Sequence, residues 1–299
     1  MGVRPALPHS GCGAVNRIGR WLLLWGAVAL FAGCQHLVAP LDRKLPEASA
    51  EAATPQALMV VACWEAEPLA ELLRTAFERQ VPNATALVTL TNNAQVLTQL
   101  ESGQAAVGLV STLSGVAPTV PSGWVTRELA RDGIALVVNR SLPIAGLKSA
   151  DLTQLYGGLV ADWSALGAGE GAPVVVTREH GAVPRLVFEA LALNGISVTS
   201  TAVVQPHTRA TLDYVAATPG ALAYVPSAQV DERVKVVALD DCLPTVSQID
   251  RGRYPLVYSL WLVLPVSADG FADAGALRLA TYALSARGQG AIGRLYGRP

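Results

Sequence analysis

A chain of 299 residues that is 51% hydrophobic and 15% charged is too apolar for a disordered polymer, and long enough for one bilobal domain or two ordinary ones. Its net charge of −1, from 22 basic and 23 acidic residues with no basic run interleaved with aromatics, argues against a nucleic-acid partner. Four cysteines with no CxxC pair exclude a disulfide framework, and His9, His36, His180 and His207 do not cluster at metal-ligand spacing, so neither a metal nor a cofactor is expected.

The N-terminus reads as an address. Residues 1–20 hold Arg4, Arg17 and Arg20 and no acid, and residues 21–32 are an uncharged apolar run. At 1.5 Å per residue that run covers about 18 Å, short of the roughly 30 Å hydrocarbon core, which is the pattern of a secretory signal peptide. Leu30-Phe31-Ala32-Gly33-Cys34 resembles a bacterial lipobox, with Phe31 departing from the usual aliphatic residue. The expectation is a signal peptide over 1–33, lipid on Cys34, and a Pro- and Ala-rich flexible tether over 34–56. An uncleaved anchor helix reaching Leu37 and Val38, interrupted by Gln35 and His36, is the alternative. Loss of residues 1–33 with their three arginines would take the net charge from −1 to −4. On either reading the rest of the chain lies outside the cytoplasmic membrane.

From residue 57 onward, short apolar strands alternate with amphipathic helices. Strands are predicted at 58–62, 86–90 and 105–110, separated by a helix opened by Pro68 and a helix carrying Val96, Leu97 and Leu100 that ends at Gly103. Two further strands, 124–129 and 134–138, precede a helix at 149–156, a strand at 174–177 and a helix over 181–193. Strands at 221–225, 234–239 and 256–264 and helices at 273–286 and 288–296 complete the pattern. Such alternation predicts an α/β fold with parallel sheets, and no internal repeat of fixed period is present.

Several stretches carry a family resemblance. Pro68-Leu69 with Ala76-Phe77-Glu78, Asp132-Gly133-Ile134, and Leu155-Tyr156-Gly157-Gly158 with Asp162-Trp163-Ser164 stand in order. They are followed by Val176-Thr177-Arg178-Glu179, Gly220-Ala221-Leu222-Ala223-Tyr224-Val225, and Pro244-Thr245 with Tyr254-Pro255-Leu256. Together they resemble the PstS-type phosphate-binding proteins of ABC importers over residues 57–296. The resemblance implies a two-lobed periplasmic-binding-protein-like (type II) fold with a hinge and an interlobe cleft. It puts one lobe at 57–138 plus 235–299 and the other at 139–234.

The family holds its anion with helix N-termini, Ser and Thr hydroxyls, one arginine and an acidic proton acceptor. Arg178 and Gly181 match that pattern, whereas Ala62-Cys63-Trp64-Glu65 stands where the family has Gly-Ser-Ser-Thr, and Ala182 and Pro184 replace two hydroxylated residues. Pro184 also lacks a backbone donor. The resemblance leaves Arg178, His180, Thr177, Gly181, Ser111, Thr112, Glu65 and Asn93 as the candidate ligand-binding set. Each has a plainer role beside the functional one. Arg178 reads either as the anion contact or as a salt bridge with Glu179 or Asp162. His180 reads as a donor or as an exposed loop residue, and Asn92 and Asn93 as caps of a helix. Glu65 would repel an anion unless it pairs with Arg178, accepts a ligand proton or faces solvent. Trp64 reads as a stacking platform for an organic ligand or as packing against the opposite lobe. Cys63 and Cys242 are a possible disulfide outside the cytoplasm.

Gly288-Gln289-Gly290-Ala291-Ile292-Gly293 has the spacing of a dinucleotide loop but no strand directly ahead of it, and no HExxH, GxSxG or Walker motif occurs. The expected function is therefore not enzymatic. It is capture of phosphate or a related oxyanion by a monomeric, lipid-anchored binding protein that presents it to an ABC permease. A degenerate cleft retained as a sensing or interaction module, or one binding an organic solute, is the alternative.

Overall fold

The computed structural model describes residues 57–193 and 195–299, together with the backbone of Glu47–Ala48. The signal peptide, Cys34 and most of the tether lie outside the described residues.

In chain order, β1 (Glu47–Ala48) is followed by β2 (Leu58–Cys63), α1 (Glu67–Gln80), β3 (Ala86–Thr91), α2 (Asn93–Glu101) and β4 (Val107–Leu113). Next come the long strand β5 (Val125–Asn139), β6 (Gly146–Leu147), α3 (Ser149–Tyr156), β7 (Val174–Arg178), α4 (Val183–Ala192) and β8 (Val203–Gln205). The chain continues through α5 (Thr208–Ala217), β9 (Ala221–Pro226), β10 (Val234–Leu239), α6 (Val246–Asp250), β11 (Val257–Leu264), β12 (Phe271–Ala272), α7 (Ala274–Leu284) and α8 (Ala286–Ile292). Helix starts follow from local chemistry: Asn92 accepts from the Gln95 amide at 3.0 Å, Asp273 from that of Ala276 at 2.8 Å, and Pro68 and Pro184 sit in first turns where no intrahelical donor is needed.

One mixed sheet runs in the order β3-β2-β4-β11-β5-β9-β7-β8, with β10 beside β5 and β6 beside β10. The outer pairs β2–β3, β2–β4, β7–β8 and β7–β9 are parallel, as the strand–helix alternation predicts. The centre is not, because β11 is antiparallel to both β4 and β5, and β5 is antiparallel to β9 and β10. Strand–helix alternation fixes the direction only of strands joined by one crossover helix, and these central neighbours are instead separated by several elements.

β5 explains the division of the sheet. Residues 125–133 pair with β11, while 134–138 pair with β9 and 136–139 with β10. The two strands predicted at 124–129 and 134–138 are thus one strand, and Arg131, Asp132 and Gly133 continue it rather than forming a turn. The polar interruption is tolerated because Asp132, fully buried, finds four donors. Its carboxylate accepts from the Gly133 amide (2.8 Å), the Ala228 amide (3.3 Å), Tyr258 Oη (2.9 Å) and Ser227 Oγ. Beside it, a Cβ on Gly133 would stand 3.1–3.3 Å from Pro244, Ile249 and Tyr254, which leaves room for hydrogen only. β8 and α5 were not foreseen. In α5 the buried Leu212 and Val215 are set among Thr, Arg and Asp, and only packing beneath β9 selects a helix there.

No disulfide joins Cys63 and Cys242, both of which are buried. Cys63 ends β2, whereas Cys242 follows β10, and β4, β11 and β5 stand between those strands.

Burial pushes the pKa of Asp132 up from 3.8 to about 6. A carboxyl whose folded pKa is raised holds its proton more tightly in the native state, so its stabilising contribution is complete at low pH and lost as pH rises through about 6. The stability advantage of the wild type over Asp132→Asn is therefore expected to shrink by up to about 3 kcal/mol between pH 4 and pH 7. Urea unfolding of both proteins across that range checks it; a pH-independent difference would show that the carboxyl titrates normally.

Candidate functional site

Two strand ends that the sheet order keeps apart meet across the molecule. β2 runs without a loop into a 3-10 turn at Trp64–Ala66, which carries Glu65, and β7 ends on Arg178. Val175 and Val176 anchor β7 in the core, and the strand end is clamped on both sides. The Arg178 amide donates to Tyr224 Oη at 3.2 Å, while Arg185 Nη1 of α4 donates to the Arg178 carbonyl at 2.8 Å. Thr177, pointing to the opposite face, shares a 2.7 Å hydrogen bond with the same tyrosine hydroxyl.

So held, the guanidinium is almost completely buried, at 1% exposure. Nε and Nη2 form a fork on the Glu179 carboxylate at 3.0 and 3.1 Å, and Nη2 also donates to the Pro206 carbonyl at 3.2 Å. Nη1 turns across the seam to Glu65 Oε1 at 3.8 Å, a charge contact beyond hydrogen-bonding distance. Glu65 is itself only 4% exposed, and its Oε2 accepts from Ser111 Oγ at 3.3 Å. Asn93, the first residue of α2, fixes Ser111 by donating to its carbonyl (2.6 Å) and accepting from its amide (3.2 Å). Next to this cluster the Trp64 ring lies 5.4 Å from that of His207, and the Trp64 carbonyl accepts from Gln229 Nε2 at 2.6 Å.

The site thus holds one guanidinium between two carboxylates. Burial drives the pKa of Glu65 above the usual carboxylate range, opposed by the charge of Arg178. The Cys63 thiol is pushed well up, first by burial and then by the neighbouring Glu65 charge. Opposite charges about 4 Å apart attract by about 4 kcal/mol at an effective dielectric near 20, comparable with the several kcal/mol lost when each ion leaves water. Glu65 is held there by Arg178, and Arg178 by Glu179 and Glu65 together.

Of the eight expected ligand residues, the structure gathers Arg178, Glu65, Ser111 and Asn93. The other four do not join them. His180 and Gly181 lie exposed in the turn after β7, Gly181 at φ 86°. The Thr177 hydroxyl is committed to Tyr224, and that of Thr112 donates to the Val116 carbonyl (2.6 Å) and accepts from Trp261 Nε1 (2.8 Å). Asp162 does not reach Arg178; it caps the turn at Trp163–Leu166 and holds the Gly171 amide. Asn92, rather than Asn93, caps α2. Glu179 was visible only as a charge adjacent to Arg178. Pro206, His207 and Gln229 carried no signal, because they come from turns that only the packed sheet brings to β2.

A model of the PBP superfamily domain matches residues 48–287. The phosphate-binding protein PstS of Bacillus subtilis is 21% identical over 243 residues, 81% of each chain. Among solved structures, a phosphate ABC transporter substrate-binding protein from Clostridium perfringens with bound phosphate superposes with a TM-score of 0.71 at 19% identity, over 82% of this chain and 100% of that one. An ABC-type phosphate transport receptor from Vibrio cholerae gives 0.62 at 22% identity, over 81% and 100%. The common fold is the two-lobed one.

Arg178→Met leaves Glu65 buried without its counter-charge, and is expected to cost about 3–5 kcal/mol in urea unfolding. Adding Glu65→Gln should recover more than half of that loss, a coupling that a double-mutant cycle measures directly. The Cys63 thiol should resist iodoacetamide at pH 8 until the chain unfolds; labelling of the native protein at the rate of an exposed cysteine would contradict its raised pKa and burial.

Proposed function

The chain belongs to the PBP superfamily, and from that premise we propose that it is the extracytoplasmic solute-binding protein of an ABC importer, capturing phosphate or a related small oxyanion between its lobes. The observation that carries this reading is Arg178: a desolvated guanidinium on a backbone clamped by Tyr224 and Arg185, with its Nη1 edge directed across the seam. A cation so placed can receive an anion on that edge, since Glu179 and the Pro206 carbonyl hold the rest of the group and solvent does not screen it. The relatives named for phosphate support the same ligand class.

In this reading residues 57–138 and 235–299 form one lobe and 139–234 the other, with β5 and the antiparallel β10 as the two crossings between them. Opening about these strands would admit solute, and closure would present the loaded form to the permease. Residues 1–33 serve as a signal peptide, and lipid on Cys34 with the tether over 34–56 holds a monomeric binding domain at the membrane surface. Among the described residues no helix is long and apolar enough to span the membrane.

A second reading keeps the lobes as a sensing or interaction module. It is favoured by the carboxylate of Glu65 standing opposite Arg178, where a solute would stand. An organic solute stacked on Trp64 is disfavoured, because that ring is taken up against His207.

Calorimetry with inorganic phosphate at pH 7 tests the main reading, and Arg178→Ala should weaken binding by about 100-fold or more, as befits loss of a charge-assisted contact. No heat from the wild type, together with no oxyanion detected by mass spectrometry in the purified protein, would leave the interaction module standing.

A further inference from the structure

We propose that Glu65 is a built-in competitor for the solute: its carboxylate takes the anion's place against Arg178, so the empty protein closes on itself and an oxyanion enters only by displacing it. The proposal rests on the oxyanion-binding reading for its solute, but its structural half stands independently.

The sheet order supplies the first argument. Glu65 follows β2 and Arg178 ends β7, with β4, β11, β5 and β9 between those strands. In a flat sheet the two ends would be about 24 Å apart, at about 4.8 Å per strand. A separation of 3.8 Å between Nη1 and Oε1 therefore exists only because the halves of the sheet are folded toward one another about β5. The contact reports closure.

The second argument concerns which groups are occupied. Two faces of the guanidinium are taken by partners from its own side of the seam, Glu179 and the Pro206 carbonyl. Nη1 is the edge that remains, and Glu65 faces it. Ser111, the one expected hydroxyl that reaches the site, donates to the other oxygen of the same carboxylate. Glu65 thus spans the cation on one side of the seam and the hydroxyl on the other, as two oxygens of a bound oxyanion would.

The third argument is burial. Glu65 and Arg178 are 4% and 1% exposed, and an isolated ion in such a place is strongly disfavoured. Empty and closed is therefore a stable state for this chain, with Glu65 facing the Nη1 edge that Glu179 and the Pro206 carbonyl leave open. A tethered carboxylate also acts at the high effective concentration of a group on the same chain. It excludes singly charged, one-point anions such as chloride, and leaves entry to small polyoxyanions that offer two oxygens at once to Nη1 and Ser111 Oγ. Thr208, two residues beyond the carbonyl that receives Arg178 Nη2, has its buried hydroxyl without a partner among the described residues.

The test compares the full wild-type chain with Glu65→Gln, which keeps the shape and removes the charge, and with Glu65→Ala, which removes the reach. Calorimetry with inorganic phosphate is paired with hydrogen–deuterium exchange of the unliganded proteins. Both variants are expected to bind phosphate at least about tenfold more tightly than wild type, and to exchange faster over residues 63–66 and 177–179. Equal or weaker phosphate affinity in both variants overturns the proposal, because a competitor's removal cannot leave affinity unchanged. If no protein binds phosphate, the oxyanion reading fails and exchange decides the rest. Faster exchange in the variants then upholds self-closure by Glu65, and unchanged exchange over those residues rejects it.

Discussion

An arginine side chain carried into a protein interior must find negative charge there, and the organisation of this molecule follows from where Arg178 finds it. The guanidinium sits at the end of a strand whose preceding valines are core residues, so its depth is set by the strand and not by its own preference. Glu179 answers it locally, from the next position in the chain, and Glu65 answers it from the far side of the sheet. The second answer has the larger consequence. It joins the two halves of the molecule at the seam, beside the Gln229–Trp64 hydrogen bond.

The strand β5 makes that arrangement mechanically possible. It changes partners near its middle, from β11 to β9 and β10, so each half of the sheet has its own hydrogen-bonded frame while the backbone between them stays continuous. Asp132 sits at the change of partner and ties it to Tyr258 on one side and to Ser227 and Ala228 on the other. A buried carboxylate with four donors is well suited to such a junction, because the hydrogen bonds are directional. The hinge and the cleft are therefore built on the same principle, a buried acid satisfied from both sides. At the hinge the partners are neutral hydrogen-bond donors, and at the cleft one of them is a cation.

Where the family resemblance implies hydroxyl donors, this chain has an internal ion pair. Cys63, Trp64 and Glu65 occupy the turn after the first long strand, and the hydroxyls of Thr112 and Thr177 are engaged in structural hydrogen bonds. On the proposed reading a solute would meet one guanidinium edge and one serine, both facing Glu65.

Most of the elements were legible in the residues themselves. Apolar runs such as Leu58-Met59-Val60-Val61-Ala62 and the spacing of Leu69, Leu73 and Phe77 are local patterns, and α3 and β10 fall where that periodicity puts them. Arg178 was legible as well, through the family's strand that ends in arginine. What the chain alone left open was pairing. Whether 124–138 is one strand or two depends on partners more than 80 residues away, and whether Glu65 faces solvent, a ligand or Arg178 depends on how far two halves of a sheet fold together. Local periodicity determines which segments are strands and helices because it needs only neighbours three or four residues distant. The Glu65–Arg178 contact, the Thr177–Tyr224 hydrogen bond and the absence of a Cys63–Cys242 bridge were decided by tertiary structure, because each concerns side chains dozens of residues apart in the chain.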